Sequence, residues 1–168
     1  FQEPGVAEAE FESDIRDALR KTYYWVSGEG MAAAVPQDKP ADAAFLDGMA
    51  DPGQFPDWMS TQDLDYYVAQ FEASGFRGPF NRYRNHRRDF ALLSPHGDQK
   101  IVQPSAFIAG TLEVVLKFIP GVDMVEIMRP KMADLRLVEM IDGAGHWVQQ
   151  ERPDEVNAAL LKFLGEVT

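Results

Sequence analysis

Leu135-Arg136-Leu137-Val138-Glu139-Met140-Ile141-Asp142-Gly143-Ala144-Gly145-His146-Trp147 contains an apolar run of strand length, a glycine-framed turn and then a histidine. Glycine carries no Cβ, so the backbone after the run can turn tightly and hold the imidazole at the end of a strand, facing a cleft. A catalytic base is expected there. Upstream, Ser105-Ala106-Phe107-Ile108-Ala109 is a second apolar run, closed by Gly110, and a helix fits between the two runs around Val122 to Met128. Strand, helix, strand in this order is a βαβ unit. Pro153 then opens a last amphipathic helix with Val156, Leu160, Phe163 and Leu164 on one face. The predicted fold class is therefore α/β, with parallel strands whose C-terminal ends share the edge where sites form. Glu113, shortly after the first strand, and His146, after the second, both fall on that edge.

The first half reads as mostly helical. Ser13 and Asp14 can cap a helix on which Phe11, Ile15, Ala18, Leu19 and Thr22 recur at spacings of three and four. From Gly28 to Asp57 the chain is rich in Gly, Pro, Ala and Asp, which predicts a long irregular excursion with one short helical turn, of the kind that often forms a lid. Ser60-Thr61-Gln62-Asp63 has the form of a capping box ahead of Leu64, Tyr67, Val68 and Phe71, and Gly75 supplies the stop. Pro79 suits the first turn of a further helix carrying Phe80, Tyr83 and Phe90, closed by Pro95 to Asp98.

Composition narrows the function classes. The 168 residues fit one domain, and 45% hydrophobic with 11% aromatic content is enough for a buried core. Sixteen Lys and Arg against 27 Asp and Glu give a net charge of −11, which disfavours nucleic acid and anionic membranes as partners. The absence of cysteine excludes disulfides, thiolate metal sites and a cysteine nucleophile, and fits a reducing, cytoplasmic setting. No run is long enough to span a bilayer, and the first residues do not form a signal peptide. The chain opens on Phe1-Gln2-Glu3-Pro4-Gly5 rather than methionine and reads as the interior of a longer sequence.

An acid followed by a histidine is the order of a hydrolase triad, in which the acid fixes the imidazole tautomer and the histidine moves protons. Spacing alone does not separate such a pair from two unrelated loop residues. No Gly-x-Ser-x-Gly elbow supplies a nucleophile. Three motifs in order say more: Phe1-Gln2-Glu3-Pro4-Gly5-Val6-Ala7-Glu8-Ala9-Glu10, then Gly75-Phe76-Arg77-Gly78-Pro79-Phe80-Asn81-Arg82-Tyr83-Arg84-Asn85, then Gly145-His146-Trp147. Together they frame nearly the whole chain, which resembles the soluble epoxide hydrolases of the α/β-hydrolase superfamily. The stretches Gly28 to Asp57 and Ile119 to Ala133 match least.

The resemblance implies a C-terminal half of that fold, with a mostly helical cap over residues 1–98 and a βαβα part of the core over 99–168. It also implies a two-step hydrolysis of an epoxide to a vicinal diol. An aspartate attacks an epoxide carbon, and a histidine-activated water cleaves the resulting alkyl-enzyme ester. Tyr83 matches a cap tyrosine that hydrogen-bonds the epoxide oxygen, His146 the water-activating base, and Glu113 the acid that orients it. The nucleophilic aspartate, the oxyanion loop and a second tyrosine match nothing in this chain, so the missing N-terminal half is an expected partner and the chain alone is expected to be inactive.

Some residues depart from the family. Glutamate stands at 113 where aspartate is usual, which leaves Asp123 or a residue outside the chain as alternative acids, and Arg82 stands where tryptophan is common. Plain readings also exist. Tyr83 alone would be a packing tyrosine, while His86 and His96 read as surface residues. Arg82, Arg84, Arg87 and Arg88 read as partners of acidic neighbours, Trp147 and Phe76 as core, and the Met124, Met128, Met132 spacing as helix packing. No metal and no cofactor are implied. Two other functions fit less well: a noncatalytic binding fragment, which would self-associate through its uncovered faces, and another α/β-hydrolase such as a haloalkane dehalogenase.

Overall fold

A computed structural model describes residues 2–34, 39–40 and 42–167. In chain order its elements are α1 (Val6–Ser13), α2 (Ile15–Trp25), α3 (Gly28–Ala33), α4 (Thr61–Ser74), α5 (Arg77–Arg84), α6 (His86–Leu93), β1 (Ile101–Gly110), α7 (Met124–Met128), β2 (Met132–Ile141), α8 (Val148–Glu151) and α9 (Pro153–Val167). They group into two compact units, one drawn from Phe1–Trp25 and Val35–Gly97, the other from Val26–Ala34 and Asp98–Thr168.

In the first unit, Asp14 leaves the helical region and its Oδ1 accepts the Asp17 N–H at 3.0 Å, so the N-terminal helical segment is two helices rather than one. Phe11 belongs to α1, ahead of the cap, and not to the helix that Asp14 starts. Both helices still feed one core, since Phe11, Ala18 and Leu19 are buried with Leu64, Val68, Phe76 and Phe80. Phe11 meets Phe76 and Phe80 edge-on at 5.2 and 5.0 Å, and Phe76 stacks on Phe71 at 4.4 Å. Burying a phenylalanine of this kind contributes about 1.5–3 kcal/mol.

The acids of α1 satisfy amides from distant segments. Glu10 accepts the N–H groups of Phe45 (3.1 Å) and Leu46 (2.7 Å), and Glu12 accepts that of Phe76 (3.0 Å). Between α3 and α4 the described residues form neither helix nor strand, as expected of the long excursion. Residues 35–38 and 41 of that excursion lie outside the described ones.

Helix α4 starts as its sequence predicts. Ser60 Oγ accepts the Asp63 N–H at 3.1 Å, Asp63 Oδ2 accepts the Ser60 N–H at 2.9 Å, and Gly75 ends the helix at φ +65°. The helix expected after Pro79 is instead two, α5 and α6, separated at Asn85. Phe90, Leu92 and Leu93 on α6 are exposed.

In the second unit β1 and β2 pair in parallel, with Ser105 opposite Leu135, Phe107 opposite Val138 and Gly110 opposite Ile141. Both strands begin earlier than the apolar runs suggest, and the register slips between Ile101 and Pro104, where proline has no N–H to give the ladder. Helix α7 lies between the strands in sequence, its N-terminus capped by Asp123. Met132 starts β2 and is not on that helix, because Arg129-Pro130-Lys131 ends it in a tight turn.

On α9 the buried residues are Val156 and Ala159, whereas Leu160 and Leu164 are exposed. The expected face is therefore rotated, since the stripe that meets the small core of Ile141, Ala144 and Val156 is the one carrying the alanine.

Candidate active site

Glycine geometry shapes the loop after β2. Gly143 takes φ +69°, a region L-residues with side chains avoid, and a Cβ on Gly145 would come within 2.4 Å of Gly28 N. The segments leaving the two strands remain tied together. The Thr111 N–H donates to the Ile141 carbonyl and the Leu112 N–H to the Ala144 carbonyl, each at 2.9 Å. Thr111 Oγ1 also accepts the Gly143 N–H at 2.9 Å. Residues that follow two adjacent strand ends are thereby held side by side.

Glu113 and His146 meet at this point. The imidazole Nδ1 lies 2.9 Å from both Glu113 carboxylate oxygens, and Glu113 Oε1 also accepts the Val115 N–H at 2.9 Å. The carboxylate side chain is 13% exposed and the imidazole 41%. A carboxylate beside Nδ1 favours the tautomer with the proton on that nitrogen, which leaves the Nε2 lone pair to accept one. Asp123 is occupied elsewhere, its Oδ1 accepting the Val125 and Glu126 N–H groups at 2.9 and 3.1 Å.

Tyr83 lies in the first unit, on α5, 47% exposed and edge-on to His86 at 6.0 Å. Its helix is anchored next door, where Arg84 Nη1 and Nη2 donate to Glu8 Oε1 and Oε2 at 2.6 and 2.8 Å. The Arg84 hydrogen bonds hold the Glu8 carboxyl at about 2, below its ordinary 4.5, against the opposing effect of burial. Arg82 pairs with Asp89 at 3.0 Å, so two of the four clustered arginines have the acidic partners expected of them.

One residue that sequence reasoning passed over stands out. The Glu151 carboxylate is buried, with Oε2 accepting the N–H groups of Gly28 and Gly145, both at 2.8 Å, and Oε1 accepting that of Trp147 at 3.0 Å. The only local hint is an acid closing Trp147-Val148-Gln149-Gln150-Glu151, just before the Pro153 helix.

Among the described residues no group of three or more His, Cys, Asp or Glu is placed to hold a metal, and no helix is long and apolar enough to cross a membrane. A cleft of about 670 Å³ in the second unit is lined by Thr111, Lys117, Val122, Met124, Val138 and Met140 among others. Neither Glu113 nor His146 lines it.

A parallel βαβ layer with an acid and a histidine at the C-terminal ends of its strands has the α/β-hydrolase form. No family model matches the chain. Epoxide hydrolase A of Mycobacterium tuberculosis is 39% identical over 165 residues, which are 98% of this chain and 50% of that protein. Among solved structures, Epoxide Hydrolase A from Mycobacterium thermoresistibile matches with TM-score 0.82 and 38% identity, over 99% of this chain and 51% of that one. An epoxide hydrolase from an endophytic Streptomyces matches with TM-score 0.84 and 37% identity, over 98% and 50%. Over the half of these proteins that it matches, the chain is similar in sequence and in its α/β-hydrolase fold to epoxide hydrolases. It spans about half the length of these relatives.

Proposed function

We propose that this chain supplies the base, the acid that orients it and one oxygen-activating donor of an enzyme that hydrolyses epoxides to vicinal diols. Residues 1–98, apart from 26–34, which group with the second unit, serve as the cap, and 99–168 as part of the hydrolase core. In the first step an aspartate oxygen attacks an epoxide carbon, the ring C–O bond breaks, and its electron pair stays on oxygen, which takes a proton from the Tyr83 hydroxyl. A phenol suits this role, because an alkoxide leaves poorly unless a donor neutralises it as it forms.

In the second step His146 Nε2 removes a proton from water, and the hydroxide adds to the ester carbonyl. Loss of the diol, which takes up that proton, leaves a carboxylic acid, whose proton returns to the Tyr83 phenolate so that the carboxylate and the phenol are both restored. Glu113 orients the imidazole and stabilises its protonated form. No carboxylate of this chain is assigned the attacking role. The reading takes the nucleophile from the part of its relatives that this chain does not match, so the chain alone forms no ester.

The observation that carries the reading is the contact of His146 Nδ1 with both Glu113 oxygens at 2.9 Å, beyond the ends of two paired parallel strands. The test measures diol formation from an aryl epoxide by this chain alone, and by its complex with an N-terminal half that bears the aspartate, with complex formation checked by sedimentation. Diol is expected from the complex only. A formed complex that makes no diol rules the function out, and diol from the chain alone rules out an external nucleophile.

A further inference from the structure

The backbone around His146 is held by a single buried side chain that the proposed chemistry does not use. Glu151 is 5% exposed, and its two oxygens accept three main-chain N–H groups: Gly28 and Gly145 on Oε2, Trp147 on Oε1. Two of these donors flank the histidine on either side. The amide of His146 itself donates to the Val26 carbonyl at 2.9 Å, in the same 26–28 segment that Glu151 grips through Gly28. Three consecutive amides, 145 to 147, are therefore fixed, and the carboxylate takes the outer two.

The site is also sterically closed. A Cβ on Gly145 would strike the Ser27–Gly28 peptide, and one on Gly28 would come within 2.0 Å of the Gly143 carbonyl, so the two segments pack backbone against backbone. Such contact leaves main-chain N–H groups away from water, where each must find an acceptor. An ionised carboxylate is the side chain best able to serve several at once, since it offers about four lone-pair sites and makes charge-assisted bonds.

We infer that Glu151 is the positioning residue of the histidine loop, setting the direction in which the His146 imidazole leaves the backbone and hence its alignment with Glu113. The inference rests on the reading of Glu113 and His146 as a working pair. It gives Glu151 no contact with substrate.

Glutamine at 151 is close in shape but has one acceptor oxygen. If that oxygen takes the Oε2 position, the amide group faces the Trp147 N–H; if it takes the Oε1 position, the amide group faces both Gly28 and Gly145. Either way at least one donor beside His146 loses its partner.

The test uses this chain labelled with ¹⁵N, following the His146 ring signals together with amide exchange. In the wild-type chain the Gly28, Gly145 and Trp147 amides are expected to exchange as slowly as the β1–β2 ladder; fast exchange at Gly145 and Trp147 would overturn the proposal without any variant. In Glu151→Gln at least one of these amides is expected to exchange about tenfold faster, the loss of one hydrogen bond. The Nδ1–H signal that reports the Glu113 contact should broaden or split, while the β1–β2 amides keep their protection.

A folded Glu151→Gln chain with wild-type ring signals and loop exchange would rule the positioning role out. Glu113→Gln separates the two ideas. If it leaves the Nδ1–H signal unchanged, the acid–base pair itself is wrong; if it shifts that signal and Glu151→Gln does not, only the role of Glu151 falls.

Discussion

His146 is expected to act after the ester has formed, so its loss should stop the reaction at a defined covalent stage. In a complex that contains the nucleophile, His146→Gln should accumulate the alkyl-enzyme, seen as a mass increase equal to that of the epoxide, with diol release falling by about 10²–10⁴. Normal turnover by that variant would exclude it as the base. Glu113→Gln should slow ester hydrolysis by up to about 10⁴ and leave alkylation untouched, because a wrongly held tautomer affects only the step in which Nε2 takes a proton. Stopped-flow single turnovers separate the two steps. Tyr83→Phe should do the reverse, slowing alkylation by on the order of 10² while ester hydrolysis keeps its rate. Sequence placed 113 and 146 on one edge, because each follows a strand end by a few residues and parallel pairing brings such positions together, but spacing alone did not set them apart from two unrelated loop residues. Glu151 was not legible, since one of the amides it serves belongs to Gly28, 123 residues away.

Elements whose limits are set by neighbouring residues were readable, and those shaped by distant contacts were not. Helix α4 has its cap and its stop within its own sequence, so Ser60→Ala should lower stability by about 0.5–2 kcal/mol, measured by urea unfolding of this chain. The break at Asn85 has neither proline nor glycine to announce it, and the buried stripe of α9 is chosen by the strands it covers. Helix α1 is the clearest case of long-range control. Nothing near Glu8 in the sequence announces its partner, Arg84, which lies 76 residues away.

That ion pair makes the first unit sensitive to acid. Glu8 sits at about 2 in the folded chain against 4.5 ordinarily, so its folded value is depressed. A depressed carboxylate contributes stability that is fully present above pH 4.5 and is lost as pH falls toward 2. Glu8→Gln should therefore unfold at lower urea than the wild-type chain near neutral pH, with the gap closing through that acid window. A gap of constant size from neutral pH down to the bottom of the window would mean that the carboxylate is not charged and paired in the folded state.

Two opposing forces act on the chain in solution. The described residues of the second unit form a sheet of only two strands, while parallel sheets in globular proteins are covered on both faces. Large apolar side chains there remain open to water, among them Phe118 at 67%, Ile119 at 51% and Leu161 at 70% exposed. Fully burying each of them would contribute about 1.5–3 kcal/mol, so a surface of this kind favours association. Against it stands a net charge of −11, which makes copies of the chain repel one another. The two forces respond differently to salt. Repulsion is confined to about 8 Å at physiological ionic strength and reaches about 30 Å near 0.01 M, whereas apolar burial is not screened. The isolated chain should therefore self-associate more at high salt than at low salt, as read by sedimentation velocity over a concentration series. Adding the N-terminal half of the proposed enzyme should replace those self-associated species with a one-to-one complex, if the exposed faces are the ones that half covers. A chain that stays monomeric at every salt concentration would show that these faces do not drive association. Self-association that persists unchanged in the presence of the N-terminal half would show that the two partners do not compete for the same surface.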